Sequence, residues 1–263
     1  MYKCAHYPSL LHTITTKDHL FSGKYTIDPY QNCEFGCRYC DSAQDATIYI
    51  KINAVEQLQQ ELPMKKKGMI IIGSVHDPYQ PIEQSYQLTR SLLKSIAEQG
   101  FSCHILTKSS LVLRDVDVLS NMKTCLVTIS IPSLNESTTN IFEKRVPPPS
   151  ERLKVVQQLS NSGITTGVAI IPVLPFIVEN ELEEAVKIAK DHDAHYLLYK
   201  HLELRGDQKA RYLEVIKTYF PRLLQHYEQL YNNKHMPNEE YLQNLKDTMA
   251  SYCKHYSIPN KIE

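Results

Sequence analysis

The run KYTIDPYQNCEFGCRYC, residues 24–40, carries three cysteines, Cys33, Cys37 and Cys40, in the spacing CxxxCxxC just after a short β-prone segment. The aromatic Tyr39 stands immediately before the last of them. Three thiolates this close can each hold one corner of a [4Fe–4S] cluster and leave the fourth iron without a protein ligand. The competing reading is a structural zinc ion, which normally takes four ligands from two paired hooks. A second hook at matching spacing does not occur in the chain.

Outward from this loop, short apolar runs alternate with segments of helical spacing. The strand-like runs are MIIIGS (69–74), CHILTKS (103–109), CLVTISI (125–131), TTGVAIIPV (165–173) and HYLLYKHL (195–202). Between them lie helical patterns at 54–62, 83–100, 113–122, 150–163 and 179–192. In the second of these, Leu88, Leu92, Leu93 and Ile96 recur at three- and four-residue steps and Gly100 marks the stop. Ser150 and Gly163 punctuate the fourth in the same way. Apolar, β-branched strands alternating with helices predict a parallel sheet buried on both faces. With KYTIDPY as the first strand there are six such units, enough for an α/β fold that is a partial (β/α)6 barrel but not for a closed barrel of eight. Such barrels place their chemistry at the C-terminal ends of the strands, the end from which the cysteine loop emerges. After about residue 207 only helical patterns remain, with Pro221 breaking the first of them. The expected organisation is an N-terminal extension (1–23), a barrel (24–207) and a helical C-terminal cap (208–263).

Lys+Arg 29 and Asp+Glu 29 balance, so the composition gives no support for a surface that coats nucleic acid broadly, although a local basic groove is compatible with it. Membrane-spanning apolar runs and a secretory leader are not evident, which makes the cytoplasm the expected compartment. Of the seven cysteines, Cys103 and Cys125 lie in strand-like runs and read as buried core thiols. Tyr212, Tyr219, Tyr227 and Tyr231 recur near helical spacing and read as packing.

TIDPYQNCEFGCRYC, GSVHDPYQPIEQ, LTKSSLVLRD, STTNIFEKRVPPPSERL and IPVLPFI together resemble the spore photoproduct lyase-like branch of the radical S-adenosylmethionine superfamily. The resemblance covers roughly residues 24–205. It implies a [4Fe–4S] cluster on Cys33, Cys37 and Cys40 and S-adenosylmethionine as second cofactor, cleaved reductively to a 5′-deoxyadenosyl radical that abstracts hydrogen from a substrate. It further implies Tyr39, Asp77, Lys108 and Ser130 as S-adenosylmethionine contacts, each with a plainer alternative: a turn for Asp77, a solvated strand end for Lys108. Arg145 is a candidate for gripping a carboxylate or phosphate, and equally a surface salt bridge. Tyr79 and Tyr199 are expected to face the cavity as candidate catalytic phenols, and His76 is a weaker candidate there. The substrate classes left open are a lesion in DNA or RNA and a peptide or small molecule. An electron donor such as flavodoxin or ferredoxin is the implied partner. The branch's name-giving enzyme returns hydrogen from a cysteine near the end of the second strand. Ser74 stands close to that place here, and residues 69–80 contain no cysteine.

Overall fold

The computed structural model describes residues 1–41, 46–143 and 145–262. Its ten strands in chain order are β1 (Tyr2–Ala5), β2 (His12–Thr13), β3 (Tyr25–Ile27), β4 (Tyr30–Gln31), β5 (Ile48–Lys51), β6 (Met69–Ile72), β7 (Ser102–Thr107), β8 (Cys125–Ser130), β9 (Thr165–Val173) and β10 (Tyr196–His201). The larger sheet runs β10-β9-β8-β7-β6-β3-β2. Six of its strands are parallel and in the expected places, and β2 adds antiparallel to β3. The helices are α1 (Ala54–Glu61), α2 (Glu83–Tyr86), α3 (Leu88–Glu98), α4 (Val116–Leu119), α5 (Glu136–Phe142), α6 (Pro149–Asn161), α7 (Leu182–Asp191), α8 (Gly206–Tyr219), α9 (Leu224–Tyr231) and α10 (Glu239–His255). The chain is thus a mixed α/β fold built on a curved parallel sheet.

Strand alternation separates two apolar layers. Ile70 and Ile72 of β6, Cys103 and Ile105 of β7, Val127 and Ile129 of β8, and Val168 and Ile170 of β9 belong to the main core shared with the helices. The intervening residues Leu126, Ala169, Tyr196 and Leu198 form a second cluster on the concave side, with Leu20, Phe21, Met69, Ile171 and Ile262 packed on it. Leu20 and Phe21 reach that interior from a tight loop in which the Asp18 carboxylate accepts the backbone N–H groups of Leu20, Phe21 and Gly23 at 3.0, 3.0 and 3.1 Å. Cys103 and Cys125 are buried neighbours in register, as read from sequence.

Three features depart from the sequence reading. Residues 1–23 carry β1 and β2, and β1 pairs with β5 in a separate three-stranded sheet completed by β4. The pattern at 83–100 is two helices, broken at Gln87 with φ 51°. The cause is Glu83, fully buried, whose carboxylate accepts the backbone N–H of Thr89 and Arg90 and pairs with Arg114 at 2.6 Å, so a side chain starts the second helix. The helix expected to start at Ser150 begins at Pro149, where a proline at the first position loses no hydrogen bond. Past residue 205, α8 ends at Phe220 ahead of Pro221. Tyr212, Tyr227 and Tyr231 are buried in one aromatic stack, whereas Tyr219 is exposed.

Candidate functional site

The cysteine loop leaves β4 at the C-terminal ends of the parallel strands. Gly36, with φ 57°, makes the left-handed turn between Cys33 and Cys37, and the Cys40 N–H closes a second turn on the Cys37 carbonyl at 3.0 Å. Three other elements hold the loop. The Glu34 N–H donates to Gln80 Oε1 at 2.9 Å, the Arg38 N–H to the Phe142 carbonyl at 2.8 Å, and Gln208 Nε2 to the Tyr39 carbonyl at 2.6 Å. Shape is therefore imposed on the loop by the surrounding protein.

Cys33, Cys37 and Cys40 line one cavity of about 380 Å³ together with Tyr39, Asp77, Lys108 and Ser130. Burial, then the nearby Asp77 carboxylate, pushes the Cys33 thiol up to about 12. Burial and Glu143 push Cys37 the same way. Thiols in such a setting become thiolates only when a cation compensates them, a charge that a bound metal would supply. Among the described residues no three His, Cys, Asp or Glu side chains gather as one metal ion would need. A cuboidal cluster asks for a different arrangement, one thiolate for each of three separate irons, and three cysteines of a single preshaped loop fit it.

At the strand ends, Asp77 serves the turn reading and more. Its carboxylate accepts the Tyr79 N–H at 2.9 Å, the Thr107 hydroxyl at 2.7 Å and the Lys108 N–H at 2.7 Å, tying the loop after β6 to the end of β7. Lys108 is not a solvated strand end: its Nζ donates to Ser130 Oγ at 2.8 Å and lies 3.8 Å from Glu143 and 5.8 Å from the centre of the Tyr39 ring. The Tyr39 hydroxyl donates to Glu143. Ser74 sits on the cavity wall with its hydroxyl 2.7 Å from that of Thr26.

Four sequence candidates lie elsewhere. Arg145 is exposed beside a second, shallower groove with Phe35, Tyr79 and Pro147, and its Nη1 reaches only the Glu34 carbonyl at 3.4 Å. Tyr79 is fully buried and gives its hydroxyl to Asp115 at 3.0 Å, within a network that includes Arg90 and Arg114. Tyr199 is on the convex face of β10, packed on the main core near Cys253, because the concave positions of that strand are Tyr196 and Leu198. One residue of register reverses the face. His76 is not among the cavity-lining residues, and its backbone N–H donates to the Asp28 carboxylate at 3.3 Å.

Two groups escaped the sequence reading. Arg152 is fully buried, donating from Nη2 to Glu143 Oε2 and from Nη1 to the Ser130 carbonyl, each at 2.7 Å. Its signal was present: with Val155, Val156 and Leu159 it lies on the buried stripe of α6. Beneath the cavity, His104 Nε2 and Thr128 Oγ1 are 2.6 Å apart, and Thr128 Oγ1 and the Tyr196 hydroxyl 2.8 Å. These three are concave-face positions of β7, β8 and β10, which an assigned register alone would reveal.

Comparison with known proteins agrees with this geometry. An uncharacterized protein of Mycobacterium tuberculosis is 24% identical over 255 residues, covering 89% of this chain and 75% of that protein. Spore photoproduct lyase complexed with dinucleoside spore photoproduct has a similar fold, with a TM-score of 0.74 at 18% identity over 97% of this chain and 79% of the lyase. A structure of Streptococcus suis SuiB bound to the precursor peptide SuiA matches with a TM-score of 0.63 at 14% identity, over 90% of this chain and 47% of SuiB. Residues 27–189, which run from the end of β3 into α7 and include the whole cysteine loop, match the Radical SAM superfamily, and the chain belongs to that superfamily of enzymes.

Proposed function

We propose that Cys33, Cys37 and Cys40 hold a [4Fe–4S] cluster and that the adjoining cavity binds S-adenosylmethionine against its open iron. Held there, the two cofactors would supply reductive radical chemistry for hydrogen abstraction from a substrate. The observation that carries this reading is that all three thiols share one cavity with Lys108 and Ser130 at the strand ends. Lys108, held by Ser130 Oγ, presents a fixed ammonium toward a ligand carboxylate. Tyr39, 6% exposed, offers an aromatic wall beside the cysteines. Leu20, Phe21, Leu106 and Ala169 line the same cavity with apolar surface, which keeps water from a reactive carbon radical. Asp77, on the cavity lining, anchors the Lys108 backbone at the strand end. Arg145 and Tyr79 have no part in the site.

The substrate class we favour is a nucleic-acid lesion. Its support is the likeness in fold to a lyase holding a dinucleoside photoproduct. Ser74 limits the reading to radical initiation, since a serine O–H bond is too strong to return hydrogen to a product as a thiol would. A one-electron donor of the flavodoxin or ferredoxin kind would reduce the cluster.

Anaerobic reconstitution tests this directly. The protein should take up about four irons per chain with a broad visible absorbance, and dithionite should drive release of 5′-deoxyadenosine. Cys37→Ala should abolish iron uptake. One zinc per chain with no cleavage of S-adenosylmethionine would overturn the reading. Transfer of deuterium from a labelled thymine-dimer oligonucleotide into 5′-deoxyadenosine tests the substrate class.

A further inference from the structure

We propose that Glu143, held in place by the buried Arg152, acts with Lys108 to set the electrostatic field at the cavity wall behind Cys37, and thereby the reduction potential of the cluster. The proposal rests on the cluster reading above.

Glu143 follows α5 and is 3% exposed, while Arg152 of α6 is wholly buried. One carboxylate oxygen takes Arg152 Nη2; the other accepts the Tyr39 hydroxyl and faces Lys108 Nζ at 3.8 Å. The second arm of the guanidinium fork holds the Ser130 carbonyl, and the hydroxyl of the same serine accepts from Lys108. A single carboxylate thus joins α6, the ends of β7 and β8, and the cysteine loop. Stability alone does not call for such a pair. Apolar residues of similar volume commonly serve a core as well as a buried ion pair or better, and position 152 lies on an otherwise apolar stripe.

Charge gives the arrangement a use. Glu143 contributes one negative charge, and Arg152 and Lys108 one positive charge each, while the Asp77 carboxylate lines the same cavity on the other side of Lys108. An oxidised [4Fe–4S] core of +2 with three thiolates carries −1, and one-electron reduction takes it to −2. Each positive charge on this wall favours the reduced form, and each negative charge opposes it. Arginine suits the second position because its planar fork fixes both the carboxylate and the strand end, which a lysine's point charge would not.

The test is a redox titration, followed by electron paramagnetic resonance, of reconstituted wild type, Glu143→Gln, Lys108→Met and the double variant Glu143→Gln/Arg152→Met. Glu143→Gln removes a negative charge and should raise the midpoint potential. Lys108→Met removes a positive one and should lower it. The double variant removes one charge of each sign and should return the potential to near the wild-type value, even if the single Glu143→Gln protein folds poorly. A purely structural brace would change iron content or melting temperature without this pattern of signs. Equal potentials, or shifts of one sign, in proteins with full iron content would overturn the proposal and leave the cluster reading intact. A wild-type protein that takes up no [4Fe–4S] cluster would overturn both.

Discussion

Gly167→Ala is the sharpest probe of the barrel interior. A Cβ built on Gly167 would stand 2.1, 2.4 and 2.5 Å from Cε2, Cδ2 and Cζ of the Tyr196 ring, where ordinary contact needs at least about 3.4 Å. The ring must therefore retreat by more than about 1 Å. It has little room, being 3% exposed, with its hydroxyl held 2.8 Å from Thr128, which is in turn 2.6 Å from His104. Overpacking of this kind costs about 1–3 kcal/mol, and breaking the Tyr196–Thr128 hydrogen bond adds about 1 kcal/mol. The sum, roughly 2–4 kcal/mol, corresponds to a fall in melting temperature of about 4–16 °C for a chain of this size. Urea denaturation of Gly167→Ala, Tyr196→Leu and the double variant measures it. Tyr196→Leu removes the obstructing ring, so the two changes together should cost at least about 1 kcal/mol less than their sum. Gly167→Ala within about 0.5 kcal/mol of wild type, or strict additivity, would refute the packing described for the barrel floor.

The buried His104 gives a pH signature. Burial pushes its imidazole down to about 4 from the ordinary 6.5. The unfolded chain therefore binds a proton below pH 6.5 that the folded chain refuses until pH 4, and stability falls as pH drops through that window. The loss is of the order of 3 kcal/mol, and denaturation of His104→Gln at pH 7 and pH 4.5 should show a visibly flatter dependence than wild type. Tyr79→Phe should cost about 1 kcal/mol in urea denaturation, because Asp115 keeps its two arginines, and should leave 5′-deoxyadenosine release unchanged. A large loss of cleavage with full iron content would return Tyr79 to the site.

The sequence was most informative where one residue's chemistry is local. CxxxCxxC needs only a loop, and the six parallel strands are marked by their own apolar runs, so both were legible without any knowledge of tertiary contacts. Lys108 and Ser130, named from the resemblance, line one cavity because strand ends converge in a parallel barrel whatever the details. Tyr79 and Tyr199 were misplaced for reasons of register. On a strand or its trailing turn, a shift of one residue exchanges cavity for core, and nothing in GSVHDPY or HYLLYKHL says which tyrosine faces which way. Arg145 drew attention as the charge in a polar loop, while the arginine that matters to the cavity wall, Arg152, was hidden in a helix. The break at Gln87 was invisible for a related cause. It depends on Glu83 meeting Arg114, thirty-one residues on, in a buried setting.

Composition, spacing and periodicity thus determined the cysteine triplet, the α/β alternation and the end of the sheet where chemistry belongs, since each rests on residues near one another in the chain. Only the tertiary structure decided which polar groups meet. Glu143 becomes shared by Arg152, Lys108 and Tyr39, and His104 by Thr128 and Phe21, because strands and helices distant in sequence are brought within hydrogen-bond reach. In a dry interior each such group must find its partner or cost several kcal/mol. That demand is met by packing, and the order of residues along the chain does not record it.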